Sequence, residues 1–95
     1  MPIVLKHNET SQIYTCNLLN SYRLEYYGTK FWDDWDKAKE QVESFLQMMG
    51  DEPKDWELIE IEESKMKIFN VRLKNDPNNE LLLDESGRPY IKRSE

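Results

Sequence analysis

Cys16 and His7 are the only cysteine and the only histidine in the 95 residues, so any thiolate-and-imidazole chemistry must use this one pair. Such a site needs a third group to orient the base, and the sequence offers none. Cys16 also falls in the middle of a strand-like run, where a small buried hydrophobe is the ordinary occupant. The same scarcity excludes structural zinc, which needs several Cys or His ligands within a few residues. Glu60, Glu62 and Glu63 invite an acid–base pairing, but two acids two apart in a strand share a face through periodicity alone. Solvated or cross-strand-paired carboxylates are the simpler reading.

Asp76, Asn78 and Glu80 imitate the opening of a calcium loop, yet Leu81 stands where that loop needs glycine and Gly87 where it needs a bidentate glutamate. Pro77 and Asn78 make the segment a turn instead. Asp33, Asp34 and Asp36 could offer oxygens to a hard cation, but acids at a helix start also cap it and suit its dipole. The three glycines, at 28, 50 and 87, are too dispersed for a phosphate-cradling loop or a dinucleotide fingerprint. No catalytic, cofactor-binding or metal-ligating residue is assigned, and the chain reads as non-enzymatic.

Two surfaces could carry a binding function. Asp33, Asp36, Glu40 and Glu43 recur at steps of 3, 4 and 3, which on a helix aligns them in one ridge opposite the apolar stripe. Like charges at these spacings cost a few tenths of a kcal/mol per pair, a cost that lysines in the same places would avoid. The bland reading is a solvated face; the alternative is docking to a basic protein surface, where a row of carboxylates supplies steering and register. The second surface is the aromatic group Tyr22, Tyr26, Tyr27, Phe31, Trp32 and Trp35, within fourteen residues. Core packing explains most of that mass. If exposed, Tyr27 and Trp32 are the expected anchors for a partner.

The expected function is therefore a protein-binding or regulatory module, with Asp33, Asp36, Glu40, Glu43, Tyr27 and Trp32 as partner-binding residues. A small-molecule binder or minor enzyme with a cleft near Tyr26, Trp35 and Trp56 is the first alternative. An acidic mimic of nucleic-acid phosphates is the second, and a homodimer is compatible with any of them.

These residues need elements to hold them. From Asp33 to Met49 the period changes to 3.6: Trp35, Ala38, Val42, Phe45, Leu46 and Met49 form one stripe. Asp33 or Asp34 caps its start, and Gly50 and Pro53 end it. Ile13–Leu19 and Tyr22–Tyr27 read as a hairpin turning at Asn20-Ser21, with Leu19 opposite Tyr22 and Tyr14 opposite Tyr27. Trp56–Glu63 and Met66–Lys74 read as a second hairpin turning at Ser64-Lys65, with Glu62 facing Lys67 and Glu57 facing Arg72. Leu81–Leu83 and Pro89–Lys92 add a weaker pair around Ser86-Gly87. The expected architecture is α+β, one helix on a face of a mainly antiparallel sheet in the order β-β-α-β-β plus a C-terminal hairpin.

The totals agree with one domain spanning 1–95, loose at 1–2 and 93–95. A chain of this length buries about 60–65% of its unfolded surface, and 38% hydrophobic with 12% aromatic residues can fill that core. The net charge of −6 repels phosphate backbones and anionic lipid, so neither direct nucleic-acid binding nor membrane association is expected. No stretch approaches the roughly 20 apolar residues of a membrane span. A single cysteine and the absence of an export-type start point to a reducing cytoplasm. Charge is also segregated: residues 33–63 hold 12 acids and 3 bases, net −9, while residues 64–93 hold 7 bases and 4 acids, net +3.

Overall fold

Ile3, Val4 and Leu5 are all fully buried, and three consecutive apolar residues in a strand require cover on both faces. The computed structural model, which describes residues 1–93, supplies that cover with two helices. In chain order the elements are β1 (Ile3–His7), β2 (Thr15–Leu19), β3 (Glu25–Thr29), β4 (Phe31–Trp32), α1 (Trp35–Met48), a 3-10 turn (Pro53–Asp55), β5 (Trp56–Glu60), α2 (Glu63–Leu73), β6 (Asn79–Leu83) and β7 (Pro89–Arg93). β1 is the centre of a three-stranded antiparallel sheet in the order β4-β1-β5. β2 with β3, and β6 with β7, form two further antiparallel pairs.

The alternation of β1 sorts the core into two halves. Ile3 and Leu5 join Tyr14, Cys16, Trp32 and the α1 residues Ala38 and Leu46. Val4 joins Ile13, Ile61, Leu81, Leu83 and the α2 residues Met66, Phe69 and Leu73. The two helices therefore lie on opposite faces of β1, and the α+β class holds with two helices among the described residues rather than one. Pro2 is buried and its carbonyl accepts the Ile61 N–H at 2.9 Å, which ties the chain down ahead of β1. Arg93 closes β7; positions 94 and 95 lie outside the described residues. No helix among the described residues is long and apolar enough to cross a membrane.

The second hairpin of the sequence reading is replaced. β5 pairs with β1, so Glu57 faces Lys6, whose ammonium lies 3.9 Å from it, instead of Arg72. The segment expected to be its partner strand is α2. Met66, Phe69 and Leu73 are its buried residues, at helical steps of 3 and 4. Ile68 and Val71 on the opposite side break that periodicity and simulate alternation. Glu60, Glu62 and Glu63 are consequently not on one strand: Glu60 ends β5, Glu62 is the cap position of α2 and Glu63 opens it.

The first hairpin exists with another register. Leu19 faces Glu25, Leu18 faces Tyr26, Asn17 faces Tyr27 and Cys16 faces Gly28. Asn20 causes the shift: its side-chain carbonyl accepts the N–H groups of Tyr22 and Leu24 at 2.8 and 3.0 Å, closing a wider loop than Asn20-Ser21. Tyr14 leaves this ladder and hydrogen-bonds to β1 through Leu5. At Gly28 a Cβ would stand 2.7 Å from the Tyr26 ring and 3.2 Å from Asn70 Oδ1, so a side chain there would displace the Tyr26 ring and crowd the contact of β3 with α2.

Candidate functional site

α1 begins because Asp34 caps it, accepting the Lys37 N–H at 2.8 Å with an extended backbone, while Asp36 sits in the positive first turn. It stops after Met48, and Gly50 takes the left-handed backbone, φ +80°, that ends helices readily. Between those limits Ala38 and Leu46 are buried, with Val42 and Phe45 packed beside them. Burying that stripe fixes the opposite one. Asp33, Asp36, Glu40 and Glu43 are all exposed. Among the described residues no ion pair involves any of the four, so their charge is directed to solvent.

The helix is tied to its surroundings from its middle onward. From its middle to its last turn, the Trp32 indole N–H donates to Gln41 at 3.1 Å, and the Lys30 ammonium lies 4.8 Å from the centres of both the Trp32 and Phe45 rings. Beyond the end, the Tyr14 hydroxyl donates a hydrogen bond to Asp51 while its ring packs edge-on against Phe45 and Trp56. Burial first, and then Asp51, hold the Tyr14 phenol well above its ordinary value.

The aromatic group does not form one patch. Trp32 is 5% exposed and belongs to the core on the α1 side, so the condition under which it would anchor a partner is not met. Tyr27 is half-buried on the α2 side, its hydroxyl 2.6 Å from Thr15 Oγ1 and its backbone N–H donating to Asn75 Oδ1 at 2.6 Å. Tyr22, at the hairpin tip, is 83% exposed. Phe31 and Trp35 are partly exposed beside the ridge, and Lys39 lies over the Trp35 ring at 5.7 Å. Of the six expected site residues, the structure sets Asp36, Glu40 and Glu43 on the exposed side of α1, leaves Asp33 ahead of the helix cap, and places both aromatics in the packing.

Asp33 also faces a cleft of about 440 Å³ lined by Met1, Pro2, Phe31, Glu63, Met66 and Lys67. Trp56 lines a smaller, polar cleft of about 230 Å³ with Gln12, Tyr14, Thr15 and Asp51; neither Tyr26 nor Trp35 lines it. His7 and Cys16 have structural surroundings. Nδ1 of His7 accepts the N–H groups of Glu9 and Thr10 at 3.1 and 3.3 Å, and its ring packs edge-on against Trp56. Cys16 is buried, and burial pushes its thiol up against a smaller opposing pull from Lys30. Asp76 accepts the Asn78 N–H and pairs with Arg93 at 3.2 Å, the arrangement of a turn. Among the described residues no group of three or more His, Cys, Asp and Glu side chains is placed to hold a metal ion.

Sequence reasoning missed the apolar margin of the ridge and the outward face of α2. Phe45 and Met48 line a shallow groove of about 340 Å³ with Gln41 and Ser44 along one flank of α1. Met48 breaks the apolar stripe by one position, which was the available signal. Ile68 and Val71 are exposed on α2, and no signal marked them while that segment read as a strand. Comparison of the chain with family models, curated proteins and solved structures gives no match.

Proposed function

We propose that the chain is a non-enzymatic protein-binding module whose docking surface is the outer face of α1. The observation that carries this reading is a row of exposed carboxylates on α1, Asp36, Glu40 and Glu43, with Asp33 exposed just ahead of the cap, all without ion-pair partners among the described residues. It is bordered by the partly apolar groove of Phe45 and Met48. Charge supplies attraction and register, and the groove supplies desolvated contact, the division of labour found across protein interfaces. The partner this face fits is a basic surface with protruding apolar side chains.

Charge density supports this reading over mimicry of nucleic acid. A duplex carries one charge per about 1.7 Å of axis, so the length from Asp36 to Glu43, about 10 Å on a helix, would carry about six. The ridge offers three over that length, which favours a protein partner.

The test is retention of a partner from native lysate by the immobilised chain, with and without the triple reversal D36K/E40K/E43K. Retention is expected to fall about ten-fold or more on reversal and to weaken as salt rises from about 0.05 to 0.5 M, while circular dichroism is unchanged. The same proteins retained equally by a folded reversal variant would remove the ridge from the function.

A further inference from the structure

α2 is apolar on two faces. Met66, Phe69 and Leu73 enter the core, while Ile68 and Val71, three apart and so on one stripe, point outward at 47% and 74% exposure. A solvated helix gains nothing from them, since β-branched residues lower helix propensity and leave apolar area in water. Lys67 and Arg72 flank the stripe, and Lys74 stands at the helix end; all three are exposed and, among the described residues, outside any ion pair. Arg72 and Lys74 also line a cleft of about 270 Å³ with Asn79, Ile91 and Arg93, the last pairing with Asp76.

An apolar stripe bordered by cations and ending in a cation-lined cleft is the complement of the α1 surface. The lengths agree as well: Asp36 to Glu43 covers about 10 Å of the α1 axis, and Lys67 to the end of α2 at Leu73 covers about 9 Å, with Lys74 just beyond. The protruding Ile68 and Val71 match in kind the groove lined by Phe45 and Met48. Resting on the reading of α1 as a docking surface, we propose that its partner is α2 of a second copy of this chain. The two helices cover opposite faces of β1, and the near ends of their patches, Asp33 and Lys67, line one cleft. The contact pairs α1 of one copy with α2 of another, so mean mass rises with concentration whether two copies close reciprocally or growth continues head to tail.

Sedimentation velocity of the full chain tests this at about 0.15 M salt, where screening over about 8 Å weakens the mutual repulsion of copies of net charge −6 more than it weakens contact pairs. Over about 10 μM to 1 mM, the mean mass of the wild type is expected to rise. D36K/E40K/E43K and K67E/R72E/K74E should each weaken association about ten-fold or more, and an equal mixture of the two should regain it, because one natural interface and one reversed interface can then form. Circular dichroism checks that both variants fold. Should either fail, Glu40→Lys and Val71→Lys read the same equilibrium singly, and each must weaken it. A wild type that stays monomeric over the range, a folded variant that associates as the wild type does, or a mixture that does not recover overturns the proposal. If the wild type is monomeric while ridge reversal still abolishes retention of a different protein, docking through α1 stands and the second copy is excluded; if reversal alters neither, both fall.

Discussion

α1 and α2 cover the two faces of the same strand, yet they are held in place by different means. α1 has a side-chain cap at Asp34, an apolar stripe on one side and charge on the other. α2 has no side-chain cap hydrogen bond at Glu62 and is apolar inside and out. An eleven-residue helix is marginal in isolation, so α2 depends on what surrounds it. Its tertiary ties include Met66, Phe69 and Leu73 in the core and two asparagines, one on the helix and one just beyond it: Asn70 accepts the Thr29 N–H at 3.0 Å, and Asn75 accepts the Tyr27 N–H at 2.6 Å. These side chains take the hydrogen bonds that another strand would have taken along the edge of β3. A helix coded by local signals and one coded by its contacts can thus share one sheet, and substitutions should affect them differently.

The largest effects should come from the buried faces. Leu46→Ala on α1 is expected to lose about 2–5 kcal/mol and Phe69→Ala on α2 about 3–5 kcal/mol, both side chains being fully buried. Urea unfolding measures both, with Phe69→Leu as the milder variant if Phe69→Ala does not fold. A cost for Phe69→Ala below about 1 kcal/mol would mean that α2 is not packed as described.

The polar anchors come next and separate by pH. Asn70→Ala leaves the N–H of fully buried Thr29 without its acceptor and should cost about 1–3 kcal/mol. That loss should be the same at neutral and alkaline pH. Tyr14→Phe removes the hydrogen bond to Asp51 and should cost about 1–2 kcal/mol near neutrality. The Tyr14 phenol is held above its unfolded value of about 10. Its contribution is therefore fully present below about pH 10 and declines above it, as the unfolded chain begins to ionise and the folded chain does not. Wild-type stability should fall above about pH 10, and Tyr14→Phe should lessen that fall. Thermal melts across pH 7 to about 11 decide it; equal alkaline slopes in the two proteins would free Tyr14 from this role.

The caps form a smaller contrast. Asp34→Ala should cost about 0.5–2 kcal/mol, whereas Glu62→Ser should stabilise α2 by up to about 1 kcal/mol, since the position accepts no capping hydrogen bond now. A Glu62→Ser variant less stable than the wild type in urea titration would show that Glu62 contributes something other than a cap.

The same contrast explains what the sequence disclosed. α1 was legible to within two residues at its start and one at its end because cap, period and terminating glycine agree along one stretch of chain. The C-terminal hairpin was legible through Ser86-Gly87, and the acidic ridge followed from α1 by geometry. α2 was not, because Ile68 and Val71 cancel the periodicity of Met66, Phe69 and Leu73. Nor was β1, since Ile3-Val4-Leu5 is a short continuous apolar run, ambiguous until both its faces are known to be covered. Without β1 the natural partner of Trp56–Glu60 was absent, and the segment after it was paired in its place. The exposure of Trp32 was beyond sequence reasoning for the same reason: its burial arises from β1 and α1 closing over it.

The smallest effect expected lies at the seam between α2 and β3, where the fit of a contact-coded helix is least complete. Thr29 is fully buried, and its hydroxyl has no hydrogen-bond partner among the described residues, although its N–H is bound to Asn70. On the α1 side the buried hydroxyl, that of Tyr14, has Asp51. Replacing a hydroxyl by a methyl normally forfeits a hydrogen bond, but here it removes only the desolvation of an unpaired group. Thr29→Val keeps both the shape and the strand preference of the side chain. It should leave stability unchanged or raise it by about 1 kcal/mol, whereas Thr29→Ala, which opens a methyl-sized gap, should lower it by a similar amount. Paired urea titrations resolve the sign: a loss of more than about 1 kcal/mol in Thr29→Val would mean that the hydroxyl is bonded in solution and that the α2 seam is as well satisfied as the α1 seam.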